Sequence, residues 1–426
     1  MEALAQALST DKKDYSSFSN DLEGVRLRLS AFAAKNAFEI CEQLGRDEEK
    51  VQQIFPCSAL QEGMILRFIN SDDAPYFVAF TLELNIGIDL EALKNAWDAV
   101  RKSTDILRTC FCDTPDGYAQ VILKDNNIDW ATIGIIRDQD IQETVENERL
   151  QIAQLNKKLR QPPIHFRVIY TPSRTVLLLT IFHALYDGIS MPLILGDVEK
   201  AYHNQYYRRP SQFSHVLPHI LSCNLEEADN FWKQKLGSNQ FSPFPRLSTG
   251  KQGDITVKRS IKASELMIEE GCKIYGCTAQ SLFQATWASV LAPYVGNNVT
   301  FGVVISGRTL PLDYIEDTIG PIFNTIPCLF QLEEPHTWRD LVRQAHEFNA
   351  ESIPYHHTPL RLIRKWLSVP PGREVINSLF VYRKVTKIVT TTTFPLWELL
   401  DSSTSVDVSE VMPFINLHIS NMHACS

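Results

Sequence analysis

Residues 175–182 read TVLLLTIF, apolar at odd and even positions alike. Successive side chains of a strand point to opposite faces, so this strand must be covered on both sides. A chain carrying it is committed to a layered fold with this strand near the middle of a sheet. The preceding HFRVIY (165–170) is joined to it by TPSR, which predicts a hairpin. HALYDGIS (183–190) follows, then MPLILGDVEKAYHNQ, a helical pattern with proline in its first turn.

Elsewhere strands and helices alternate. Residues 1–20 are polar and unpatterned, which predicts disorder at the start. Leu22–Gly45 has helical spacing, stops at a glycine and is expected to form a lead-in helix outside the main core. YFVAFTLEL (76–84) predicts a strand, and DLEALKNAWDAVRKST a helix capped by Asp89. YYRRPSQFSHVLPH is polar and proline-bearing, the expected connection between two lobes. In the second half, LEEADNFWKQKLG, AQSLFQATWASVLAPYVG and TWRDLVRQAHEFNAES predict helices, VTFGVVISGR and INSLFVYRK strands, and IVTTTTF a β-edge or loop. The class is mixed α/β (α+β), and 426 residues exceed what one core serves.

A net charge of −9 argues against nucleic-acid backbone binding. No apolar run reaches the roughly 18–20 residues of a membrane span, and MEALAQALSTDKKDYSS lacks the basic and apolar regions of a secretory signal. Nine dispersed cysteines, with no CxxC pair, predict mostly buried thiols in a reducing, cytoplasmic compartment. Cys110 and Cys112 in CFC share one strand face but lack partners at zinc-ligand spacing, so no metal is expected.

His183 stands where the buried strand ends, with Asp187 and Gly188 in its wake. It is a satisfied structural residue, a metal ligand or a general base at the mouth of a cleft. A strand end projects functional groups from a rigid scaffold. Asp187, turned back into a tight loop, would fix its shape by accepting backbone or arginine hydrogen bonds, and Gly188 would admit close approach of a substrate. The chain has no GxSxG elbow, phosphate loop or HExxH. A histidine without a nucleophile suits direct attack of a substrate amine or hydroxyl on an activated acyl group.

FHALYDGIS resembles the HHxxxDG signature of condensation domains of nonribosomal peptide synthetases, relatives of chloramphenicol acetyltransferase. PCSALQEGMI resembles the SxxQxxM-type opening, STDILRTCF the RHExLRTxF motif, VVISGR and DTIGPIFNTIP the SGR and IGxFxNT segments, and YHHTPLRLI the HQxxPF motif. These six run in family order from about Val51 to Arg383. The wording of CSALQEGMI, HALYDGIS and HHTPL is most similar to fungal synthetases of the ferrichrome-type hydroxamate siderophore group. The resemblance implies two chloramphenicol acetyltransferase-like lobes in a V-shaped pseudo-dimer with a central tunnel: a lead-in over 1–50, a first lobe over 51–208, a connection over 209–225 and a second lobe over 226–426. It implies amide or ester formation between substrates on the phosphopantetheine arms of donor and acceptor carrier domains, with an adenylation domain as further partner and no bound cofactor.

By the same resemblance His183 orients or deprotonates the acceptor amine. Gly188 presents its amide to the developing oxyanion. Asp187 is structural, with Arg308 as its counter-ion, and Asn324 is the family's asparagine near the active site. Arg108 is expected to bind substrate or form a buried ion pair in the first lobe. The family's first histidine is Phe182 here, its arginine–histidine pair is Ser103 and Thr104, and the ending FINLHISNMHACS reads as shortened. Two other functions compete: an inactive carrier-docking remnant, and a free-standing coenzyme A-dependent acyltransferase, which would share HxxxD but for which no DFGWG segment is present. His356 and His357 are expected in a loop or helix entry, Trp287 in a core stripe, and His203, His215 and His219 in solvent.

Overall fold

The structure, a computed structural model, describes residues 16–125, 127–206, 208–237, 263–332, 337–370, 373, 375–383, 395–400 and 416–420. IVTTTTF and residues 1–15 lie outside the described residues. The chain divides into two units, and the division is interleaved where a single cut at residues 209–225 was expected. The first unit holds the described residues up to Cys223, together with Leu310–Ile322 and residues 395–400; the second holds the remainder.

The central strand of the first unit is the apolar run. β7 (Thr175–Phe182) pairs antiparallel with β2 (Phe77–Leu84) and β6 (Ile164–Tyr170), and β11 (Trp397–Leu399) and β5 (Trp130–Gly134) complete a five-stranded sheet. Residues 176–182 are fully buried, as apolar side chains of both parities require. On one face Leu178, Val176 and Ile169 pack against Ile141 and Val145 of the helix Ile141–Leu155. On the other, Phe166 meets Trp97 of the helix Leu90–Ser103, ring centroids 4.7 Å apart. Asp89 caps that helix as expected, accepting from Glu91 and Ala92 N–H.

β1 (Val51–Pro56), β4 (Gly117–Leu123) and β3 (Thr109–Thr114) form a second, three-stranded sheet. Its apolar face is covered by a helix. The helix Ser16–Leu44, which starts earlier than expected, is no appendage: Ile40 joins Ile54, Cys110, Cys112 and Val121 in one cluster, with Phe32, Ala37 and Leu44 at its margin. A small sheet with alternating apolar residues needs a lid, and the Phe32–Ile40–Leu44 stripe supplies it. The expected polar connection is also partly core. Phe213–Ile220 is a helix that buries Phe213, Val216, Leu217 and Ile220; its polar look came from residues of its outer face and the preceding arginines. His215 is exposed as expected, whereas His203 and His219 are half-buried.

In the second unit β8 (Asn298–Ile305) pairs antiparallel with β9 (Asn324–Gln331) and parallel with β10 (Leu379–Arg383), which in turn pairs parallel with β12 (Asn416–Ser420). The three expected helices form over Leu225–Leu236, Ala279–Val295 and Trp338–Glu351, and Trp287 is buried. Among the described residues no helix is long and apolar enough to cross a membrane. No group of three or more metal-ligating side chains is found there either.

Candidate active site

The end of β7 delivers the imidazole. Phe182, its last residue, turns into an aromatic cluster with Phe77 and Phe68, at ring centroids 5.2 and 5.3 Å. His183 then opens a single 3₁₀ turn, His183–Leu185. Its backbone N–H donates to the Tyr76 carbonyl at 2.8 Å. Its Nδ1 lies 3.0 Å from the Tyr186 carbonyl oxygen, and its ring stacks on the Tyr186 ring at 4.5 Å and 11°. A carbonyl only accepts, so in the neutral imidazole Nδ1 carries the proton and Nε2 holds the lone pair. The residue is only 8% exposed. Backbone, ring and carbonyl together fix its orientation.

The segment that receives His183 N–H is itself strained. Ala74 and Tyr76 have φ of 51° and 67°, a left-handed region that costs non-glycine residues on the order of 1–3 kcal/mol. Arg149 holds this segment, donating from Nη1 to the carbonyls of Ala74 and Phe77 at 3.2 Å each.

Asp187, 2% exposed, staples the loop. Oδ1 accepts from Ile189 N–H at 3.1 Å and from Ser190 N–H and Oγ–H at 2.7 Å each. Oδ2 accepts from Ile322 N–H at 3.3 Å. The carboxylate therefore caps the helix Ser190–Tyr202, where an anion is also favoured by the helix dipole. Ser190 Oγ accepts from Gly320 N–H at 2.9 Å, which ties residues 320–322 to the same loop. A Cβ at Gly320 would meet the Phe213 ring at 2.4 Å, so only glycine fits there. Gly188 is exposed between these anchors.

The opening motif reaches the site through Gln61. Ser58 and Gln61 form a capping box for the helix Ala59–Ile69. Gln61 Nε2 also donates to the Ala184 carbonyl at 3.2 Å, and Gln120 Nε2 donates to Gln61 Oε1 at 3.0 Å. The brace on the histidine turn joins residues 123 positions apart, which the local motif does not reveal. The SxxQ spacing signalled the cap only.

Arg108 is 4% exposed. Its Nη1 donates to Gln52 Oε1 at 2.9 Å, Lys124 O at 3.2 Å and Leu123 O. It clamps the ends of β1 and β4 and forms no ion pair among the described residues. Asp105 instead accepts from Ser214 N–H at 2.9 Å.

In the second unit Asn324 opens β9. Its Nδ2 donates to the carbonyls of His356 and Thr358 at 2.8 and 3.2 Å. His356 and His357 diverge, as adjacent residues must. His356 Nδ1 is 3.3 Å from Thr309 Oγ1, whereas His357 Nε2 donates to the Gly307 carbonyl at 3.1 Å. Burial pulls both imidazoles down to about 4, the neighbouring ring adding to the effect at His356. They are neutral braces between the SGR and HHTP segments. Arg308, 3% exposed, follows Gly307, whose φ of 67° sets the turn.

A family model described as Condensation domain matches residues 51–410. Nonribosomal peptide synthetase Ao415 of Arthrobotrys oligospora is 35% identical over 387 residues, 91% of this chain and 11% of the relative. Nonribosomal peptide synthetase sidC of Arthroderma benhamiae is 30% identical over 407 residues, 96% of this chain and 8% of the relative. The chain thus spans about a tenth of these curated relatives. Among solved structures, the condensation domain from Monacolin K polyketide synthase MokA aligns at TM-score 0.62 and 16% identity, covering 79% of this chain and 82% of that one. The complex of the X-domain and OxyB from teicoplanin biosynthesis aligns at 0.64 and 18%, covering 80% and 79%. At such identity these structures speak for the fold alone.

Proposed function

Because the chain belongs to the condensation-domain family and has its chloramphenicol acetyltransferase-like α/β fold, we propose that it is an active amide- or ester-forming domain of a nonribosomal peptide synthetase. Its substrates would be a donor thioester and an acceptor, each on the phosphopantetheine arm of a carrier domain. An adenylation domain in the same or a neighbouring chain would be a further partner. No bound cofactor or metal takes part in this reading. The setting we propose is cytoplasmic hydroxamate-siderophore assembly, in keeping with the wording of CSALQEGMI, HALYDGIS and HHTPL.

One observation carries the reading: the Tyr186 carbonyl fixes His183 in the tautomer whose Nε2 accepts a proton. In the proposed step the acceptor amine attacks the donor thioester carbonyl. The C–N bond forms, the C–S bond breaks, and the amine proton passes through Nε2 towards the departing thiolate. General-base assistance of this kind contributes about 10²–10⁴-fold, with positioning of the two substrates supplying much of the rest. Gly188 N–H would stabilise the oxyanion. Asp187 would hold the loop, Arg308 would be structural in the SGR turn, and Asn324 would keep the HHTP segment in place.

The test is transfer from a loaded donor carrier to a loaded acceptor carrier with chelator present. Amide or ester product supports the reading. Carrier binding without product would favour a docking remnant, and equal turnover of a coenzyme A thioester without any carrier would favour a free-standing acyltransferase.

A further inference from the structure

The second unit holds a pair of thiols for which the condensation reaction has no use. The helix Glu265–Tyr275 ends in a left-handed glycine, Gly276, at φ 62° and ψ 41°. Gly276 and Cys277 both donate their N–H to the Cys272 carbonyl, Cys277 at 3.0 Å. This is a Schellman-type ending, in which the side chains two positions beyond the helix and one turn inside it meet. Here both are cysteines. The ending sets the Cys277 side chain against the turn that carries Cys272, and both residues are partly exposed.

We propose that Cys272 and Cys277 form a redox-sensitive dithiol that closes to an intramolecular disulfide on meeting a small-molecule disulfide such as oxidised glutathione. In the first step the Cys272 thiolate attacks the glutathione disulfide, forming a mixed disulfide and releasing one glutathione thiolate. Cys277 then attacks the Cys272 sulfur, and the second glutathione thiolate leaves. Two protein thiols are oxidised and one glutathione disulfide is reduced, so the exchange balances.

The order of attack follows from the surroundings. Cys272 lines an open cleft of about 270 Å³ with Ile268, Glu269 and Tyr382, which gives an oxidant access. Burial raises both thiols, and Cys277 is pushed up to about 11. Thiols of this kind react slowly at neutral pH, and their disulfide has poor leaving groups and reopens slowly. Cys277 precedes Thr278, the cap of the helix Ala279–Val295, which packs on β8. Closure would therefore pin the corner that seats this helix.

Cys110 and Cys112 are a built-in control. They are 0% and 1% exposed on one strand face. At two residues' separation their backbones stand about 6.7 Å apart with parallel Cβ vectors, well outside the roughly 3.5–4.5 Å Cβ span of a disulfide.

The experiment incubates the whole protein with oxidised glutathione, quenches with an alkylating agent and digests with trypsin without reductant. Lys273 lies between the two cysteines, so a disulfide joins the peptides spanning 263–273 and 274–308. The expected result is that linked pair, lost on dithiothreitol treatment, with no lasting glutathione adduct on either cysteine. In Cys277→Ser a glutathione adduct should accumulate on Cys272. A stable adduct on Cys272 in the wild type, or Cys272 and Cys277 both alkylated while half-buried Cys41 has reacted, would overturn the proposal.

Discussion

At the scale of single residues, the loop around His183 separates holding from reacting. Asp187 accepts from four donors on three residues, so Asp187→Asn must set an amide N–H₂ against at least one backbone N–H. One buried donor left facing another costs about 1–3 kcal/mol. The variant should melt lower in urea and lose rate in parallel; full stability with complete loss of rate would contradict a holding role. Gln61→Leu removes a donor from the Ala184 carbonyl and should lower the rate more than it weakens carrier affinity, which single-turnover kinetics would show. Phe182→Ala is the contrasting case. Its ring is fully buried between Phe68 and Phe77, so truncation should cost on the order of 3–5 kcal/mol of stability. The fraction that remains folded should keep near-normal specific activity. A folded variant with a hundredfold lower rate would mean that this position takes part in the chemistry.

At the scale of elements, β7 was legible because burial on both faces leaves an unmistakable apolar run, and the turn and loop of residues 183–190 were legible because they form one short continuous stretch after it. What was hidden depends on partners far along the chain. The Gln61 bond to Ala184 spans 123 residues, and Ser190 meets Gly320 across 130. Nothing local announces either. The helix Ser16–Leu44 misled because its apolar residues are spread around it: Leu27 and Phe38 are exposed while Val25, Leu29 and Ile40 are buried. The HHTP segment gives a pH prediction. Its two imidazoles sit at about 4 against an ordinary 6.5 because burial disfavours the charged ring. Between those values the unfolded chain binds protons that the folded one refuses. Stability from these groups is therefore complete above about pH 6.5 and drains as pH falls towards 4, by up to about 3 kcal/mol per ring. Urea melts from pH 7.5 to 4.5 should show the decline, and His356→Asn with His357→Gln should flatten it. An unchanged slope in the double variant would contradict the assignment.

At the scale of the whole molecule, the sequence pattern correctly implied two units and a mixed α/β class, yet their boundaries could not be read from it. Leu310–Ile322 lies in the second half of the chain but folds with the first unit, where Ile322 N–H and Gly320 N–H complete the loop that carries His183. A motif that looks continuous in sequence, DTIGPIFNTIP, is thus shared between units, its start bracing Asp187 and Asn324 bracing the HHTP segment. The histidine loop therefore draws its bracing from a segment more than a hundred residues away in sequence but within the same unit. The central claim is that this scaffold presents a proton-accepting imidazole to an acceptor amine. The most direct measurement compares wild type with His183→Ala, matched in urea stability, in single-turnover transfer between loaded carriers. A fall in product formation of about 10²–10⁴-fold is the predicted result; an unchanged rate would show that positioning alone drives the reaction and that His183 is structural.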